Sequence, residues 1–169
     1  MASYGLTISS NLQKGVTTGA LKRFGEHLIE NDEVEVCCLL ATPSFDNWYD
    51  ASLPYLAKAK RSDLTPDEEV DSFVRRFLLG KPITEIARLR PTADGVWEIR
   101  LAHTRLFGWF PERDVLVLTD GASIASVKSG TPGYAHYFDH VKQERKRLGL
   151  GYVAGDQTKT RPRKAIRGC

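Results

Sequence analysis

Apolar positions along the chain change rhythm several times, and each rhythm predicts an element. From Thr18 to Glu30, Leu21, Phe24 and Leu28 recur at helical spacing, which predicts an amphipathic helix. "EVEVCCLLA" (33–41) opens with alternation and ends as an unbroken apolar run, the pattern of a strand entering a core. In "PSFDNWYDASL", Phe45, Trp48, Tyr49 and Leu53 share one helical face, with Ser44 as the expected N-cap and Pro54 as the interruption. "TPDEEVDSFVRRFLLGKP" has every mark of a helix. Thr65 caps it, Pro66 takes its first position, and Glu68 completes a T-x-x-E capping box. Val70, Phe73, Val74 and Phe77 form its apolar stripe, and Gly80 and Pro82 stop it.

The second half changes to strand rhythm. Strands are expected over 96–103, 105–111 and 114–119, with "ERD" turning between the last two and a fourth short strand at 122–128. In "TPGYAHYFDHVKQERKRLGLG", Thr131 is the expected cap and Pro132 the first helical residue. Tyr134, Tyr137, Phe138, Val141 and Leu148 line one face, and Gly149 ends the helix. Consecutive strands joined by short turns imply an antiparallel meander. The expected fold is therefore α+β, a small antiparallel sheet with helices packed on one face. Three segments are expected: an N-terminal extension with its own helix (1–33), the main domain (34–150) and a flexible basic tail (151–169).

Composition narrows the function classes. The 169 residues are 41% hydrophobic and 27% charged, ordinary for one soluble domain. The longest apolar run is too short to cross a membrane, and no signal-like segment opens the chain, so a cytoplasmic protein is expected. Cys37, Cys38 and Cys169 offer neither a disulfide framework nor zinc spacing. His136 and His140 stand four apart without an evident third ligand, so no metal or cofactor is expected. The net charge of +3 is unevenly placed: five of the 24 basic residues and one of the 21 acidic ones lie in 156–169. Residues 1–155 thus hold 19 basic and 20 acidic side chains. Affinity for nucleic acid would need a local patch or the tail.

One stretch offers such a patch. "GVWEIRLAHTRLFGWF" (95–110) places Arg100, His103 and Arg105 among aromatics on adjacent strands. Two readings stay open: a solvated sheet face, or a site for a phosphate backbone. Arg100 and Arg105 are five apart, so an uninterrupted strand would point them to opposite faces. Convergence requires a turn around 102–104. Trp109 reads either as a stacking platform or as core. The stripe through Tyr134, Phe138 and Val141 reads first as core.

The ordered set "EVEVCCLLA", "FDNWYDASLP", "GVWEIRL", "TRLFGWF", "SVKSGTP" and the basic final helix resembles the RelE/ParE toxin superfamily, nearest to its HigB-like, phage-derived branch. The likeness spans roughly 34–149. It implies a RelE-like sheet with a concave basic site and metal-independent cleavage of messenger RNA, ribosome-associated and of phage or prophage origin. It also implies an antitoxin partner. Carried over by position, Arg100, Arg105, Lys128 and His136 would be the catalytic group. His103, Trp109, Tyr134, Lys142, Arg145 and Lys146 would contact RNA. This chain departs from the pattern in its near-neutral body and in a single lysine at "SVKSGTP", where relatives often have two. It also has a longer N-terminal segment, which could cover the site or serve a homodimer. Two alternatives therefore stand beside the enzyme: a non-catalytic module on the same fold that inhibits a host protein, and a nucleic-acid-binding accessory protein working through its tail.

Overall fold

The computed structural model describes residues 8–58 and 62–154. Their architecture is α+β, with a six-stranded mixed sheet in the order β1-β2-β6-β5-β4-β3. The strands are β1 (Lys22–Arg23), β2 (Cys38–Ala41), β3 (Arg88–Pro91), β4 (Val96–Arg100), β5 (Thr104–Glu112) and β6 (Val115–Ser123). The helices are α1 (Ser10–Thr17), α2 (Pro43–Ala51), α3 (Pro66–Leu78), α4 (Ile124–Lys128) and α5 (Tyr134–Arg147). The β4-β5-β6 meander is antiparallel as expected, and β3 adds to it antiparallel beside β4. The sheet as a whole is not, because β2 runs parallel beside β6, with Cys38 opposite Val115 and Ala41 opposite Leu118.

Helices cover both faces of the sheet, which corrects the one-face expectation. On one side Phe45, Val70, Phe73, Val74 and Phe77 from α2 and α3 pack on Leu39, Ile99, Leu106, Leu116 and Leu118. On the other, Leu12 of α1 and Tyr137 and Val141 of α5 pack on Leu40, Val96, Phe107, Trp109 and Val117. The physical reason is in the pattern. "CCLLA" and "VLVL" are unbroken apolar runs, and a strand without alternation needs cover on both sides.

The capping box at α3 is present in full: Thr65 N–H donates to Glu68 Oε2 at 2.8 Å, and Glu68 N–H donates to Thr65 Oγ1 at 3.4 Å. Other boundaries moved. The N-terminal helix lies at Ser10–Thr17, ahead of the expected span, and Gly19 at φ 73° turns the chain out of it. Leu21 and Phe24 are buried, but against opposite faces of the sheet, so their spacing of three was not a helical stripe. Thr42 rather than Ser44 caps α2, with Pro43 in the first turn. The expected strand at 122–128 is the end of β6 followed by α4, capped by the Ser123 hydroxyl. Gly133, not Thr131, precedes α5. β3 had no expected counterpart. The basic stretch 156–169 lies outside the described residues.

Candidate phosphate site

The hairpin β4-β5 decides where the arginines point. β4 ends at Arg100 and β5 begins at Thr104, so Leu101 to His103 form the turn that convergence requires. A carboxylate from the opposite layer holds this turn. Glu69 of α3, 4% exposed, accepts the backbone N–H of Ala102 at 2.7 Å and that of His103 at 3.1 Å. The His103 ring meets the same carboxylate through Nδ1 at 3.2 Å. His103 is therefore buried on the α3 side, a positioning residue for the turn, with no surface to offer RNA.

With the turn in place, Arg100 and Arg105 are cross-strand partners. Directly paired residues share a face, and between their side chains lies Glu98, fully buried. Arg100 Nε stands 3.0 Å from Glu98 Oε2, and Arg105 Nε stands 3.4 Å from Oε1. Arg90, the partner of Glu98 on β3, adds a third cation at 3.7 Å. Arg88, paired with Arg100, belongs to the same face and is exposed. The Arg105 guanidinium is anchored twice more, donating from Nη1 to the carbonyls of Leu101 at 2.6 Å and Thr104 at 2.8 Å. Three arginines thus meet one buried acid, with Arg88 on the same face beside them. These are ion-pair contacts without aligned hydrogen bonds; the carboxylate offsets one charge and leaves a net positive surface.

The neighbours follow from register. Phe107, opposite Glu98, is buried under α5, stacked on Tyr137 at 4.7 Å and edge-on to Tyr134 at 6.3 Å. Tyr134, Phe138, Lys142 and Arg145 follow one another along one flank of α5, at spacings of four and three. That flank faces β4: Lys142 Nζ lies 4.0 Å from an oxygen of Asp94, and Arg145 donates to the Asp94 carbonyl at 2.5 Å, just before β4 begins. Asp139 beside Lys142 holds its ammonium pKa above the usual value. Tyr134, Lys142 and Arg145 thus border the arginine face.

The two histidines of α5 stand elsewhere. His136 lies one turn before His140, whose Nδ1 meets the Asp120 carboxylate of β6 at 2.7 Å. β6 and β4 flank β5 on opposite sides, so both histidines occupy the other flank of α5, away from the arginines. Lys128 is exposed at the end of α4, and Lys146 is exposed on α5. Trp109 is fully buried among core residues, which corrects its assignment as an RNA contact and agrees with its reading as core. Among the described residues no group of three or more His, Cys, Asp or Glu side chains could hold a metal ion. No described helix is long and apolar enough to cross a membrane.

Glu98, Arg90 and Arg88 were not singled out beforehand, although the alternation of "W-E-I-R" already puts Glu98 beside Arg100 on one face. Arg88 and Arg90 carried no signal, because β3 is short and ends at a proline.

Compared with known proteins, the chain matches no family model, no curated protein and no solved structure.

Proposed function

We propose that this protein binds the phosphate backbone of RNA at the arginine face of β3-β4-β5 and cleaves it in the manner of the RelE/HigB-like toxins it resembles, in the cytoplasm and under the control of an antitoxin. The observation that carries the reading is the convergence of Arg100 and Arg105 on one face, organised by a buried acid. Charge attraction to the buried carboxylate, and for Arg105 two carbonyl hydrogen bonds, hold the guanidinium groups before any ligand arrives, so less order is lost when a phosphate binds.

The chemistry is phosphoryl transesterification. The ribose 2′ oxygen attacks the adjacent phosphorus as its proton leaves to a base. The bond from phosphorus to the 5′ oxygen then breaks, and an acid protonates the leaving oxygen. The products are a 2′,3′-cyclic phosphate and a 5′ hydroxyl. Arg100 and Arg105 stabilise the charge on the crowded phosphate. The Tyr134 phenol is the proton donor best placed by its element, at the start of α5 beside Phe107. Lys128 is the alternative donor from the end of α4.

A second reading rests on the same acid. Three of the arginines touch Glu98, and a face whose charges serve the fold would suit a protein-binding module that inhibits a host target. The deciding experiment incubates the purified protein with messenger RNA in excess chelator and follows the fragments. Cleavage to cyclic phosphate ends that Arg88→Gln and Tyr134→Phe each reduce is the expected result. Intact RNA would leave the binding module as the better account.

A further inference from the structure

A second aromatic and cationic group lies at the far end of the same face. Tyr152 follows α5, and the chain there is tied to the sheet by Val153 N–H, which donates to the Phe110 carbonyl at 2.8 Å. The Tyr152 ring is seated against Gly95, where an added Cβ would come within 2.1 Å of it. Gly95 also has φ 71°, so both its backbone and its missing side chain serve this contact. Arg145 lies over the ring with its guanidinium carbon 4.3 Å from the centroid. The ring is still 46% exposed. An aromatic that is fixed in place, paired with a cation and open to solvent is unusual as a core element.

Its position relative to the arginines is set by β4. Gly95 immediately precedes the strand and Arg100 ends it, so the two groups are separated by about five residues of strand, ~16 Å. Lys142 lies along α5 between Tyr134 and Arg145. Tyr134, Lys142 and Arg145 therefore follow one flank of α5 between the Glu98 end of the face and Tyr152, with Lys142 paired to Asp139.

We infer that Tyr152 and Arg145 form a base-stacking subsite that holds a nucleotide of the same single-stranded RNA, a few nucleotides from the phosphate gripped by Arg100 and Arg105. Stacking on an exposed aromatic beside an arginine favours any base, so this subsite adds affinity and sets a minimum substrate length without reading sequence. The inference rests on the proposed function above, since it assumes the arginine face takes RNA.

The test is fluorescence anisotropy with a labelled hexaribonucleotide and a labelled diribonucleotide. The dinucleotide is too short to span both groups. Tyr152→Ala is expected to weaken hexanucleotide binding on the order of tenfold or more, to leave dinucleotide binding as in wild type, and to bring the two affinities together. Tyr152→Phe, which keeps the ring, is expected to bind both as wild type does. Equal hexanucleotide binding by wild type and Tyr152→Ala would overturn the subsite while leaving the arginine site standing. Equal weakening of both ligands would overturn it too, because Tyr152 would then act through the fold. Failure of the wild-type protein to bind either RNA would overturn both the subsite and the function on which it rests.

Discussion

Arg100 and Arg105 face each other across β4 and β5 and close on opposite oxygens of the Glu98 carboxylate, at 3.0 and 3.4 Å. This geometry makes the arginines dual-purpose. The same guanidinium groups that would meet a phosphate also compensate an acid with no exposure to water.

Removing one of them alone should therefore unfold more than it disarms. Arg105 is only 14% exposed, and Arg105→Ala leaves a buried carboxylate short of a partner. The expected loss is about 3 kcal/mol, read by chemical denaturation. Adding Glu98→Gln should recover more than half of that loss, since the neutral amide no longer needs the cation. If the single variant is as stable as wild type, Glu98 is not held by the arginines as described.

Glu69 should matter to the arginine site from the opposite layer. Glu69→Ala strips two backbone N–H groups and the His103 ring of their acceptor. It is expected to cost roughly 3 kcal/mol and to weaken RNA binding in the fraction that remains folded. Unchanged amide exchange at Ala102 and His103 would show that the turn does not depend on the carboxylate.

The capping box offers a smaller, cleaner effect. Thr65→Ala should cost about 1 kcal/mol and should change RNA binding less than Glu69→Ala does, because it weakens only the start of α3 and leaves the carboxylate that holds the 101–103 turn in place. A loss near zero in denaturant unfolding would mean that Thr65 contributes nothing to starting α3.

An alkaline limit on stability should trace to Tyr49. Its hydroxyl donates to Asp71 at 2.5 Å, tying α2 to α3. Burial first, and the Asp71 hydrogen bond second, raise its pKa well above the ordinary tyrosine value. The folded state therefore holds this proton more tightly than the unfolded state does. The contribution is fully present below the unfolded pKa of ~10 and is lost as pH rises beyond it. Tyr49→Phe should be less stable at neutral pH and show a flatter stability curve above about pH 10. Parallel alkaline curves for the two proteins would remove Tyr49 as the cause.

Local chemistry was the legible part of the sequence. The Thr65–Glu68 box, the stripe from Val70 to Phe77, the hairpin turn after Arg100 and the stop at Gly149 each depend on a few neighbouring residues, and each appears in the structure. Long-range relations were legible only in part. The unbroken run "CCLLA" carried the information that the sheet is covered on both faces, but a run alone does not say which strand lies beside it. The parallel partnership of β2 with β6 depends on α2 and α3 crossing over between distant segments. The N-terminal helix was misplaced because Leu21 and Phe24 mimic helical spacing while serving opposite faces of the sheet. In the candidate site, the two arginines were readable as a geometric condition on a turn. Glu98 was readable by alternation, whereas Arg88 and Arg90 depended on a short edge strand with no pattern of its own. His136 was drawn to the arginines by the resemblance alone, and helix geometry places it on the other flank of α5.

The most direct test of the central claim is genome-wide mapping of messenger-RNA 5′ ends in a bacterium expressing the protein. The comparison is the paired variant Arg100→Gln plus Glu98→Gln, which removes one guanidinium without stranding the buried acid. The account predicts abundant new 5′ hydroxyl ends within minutes of wild-type induction, with growth arrest. Both should fall at least tenfold in the paired variant at equal protein level. Growth arrest with no new RNA ends, or persisting unchanged in the paired variant, would contradict it.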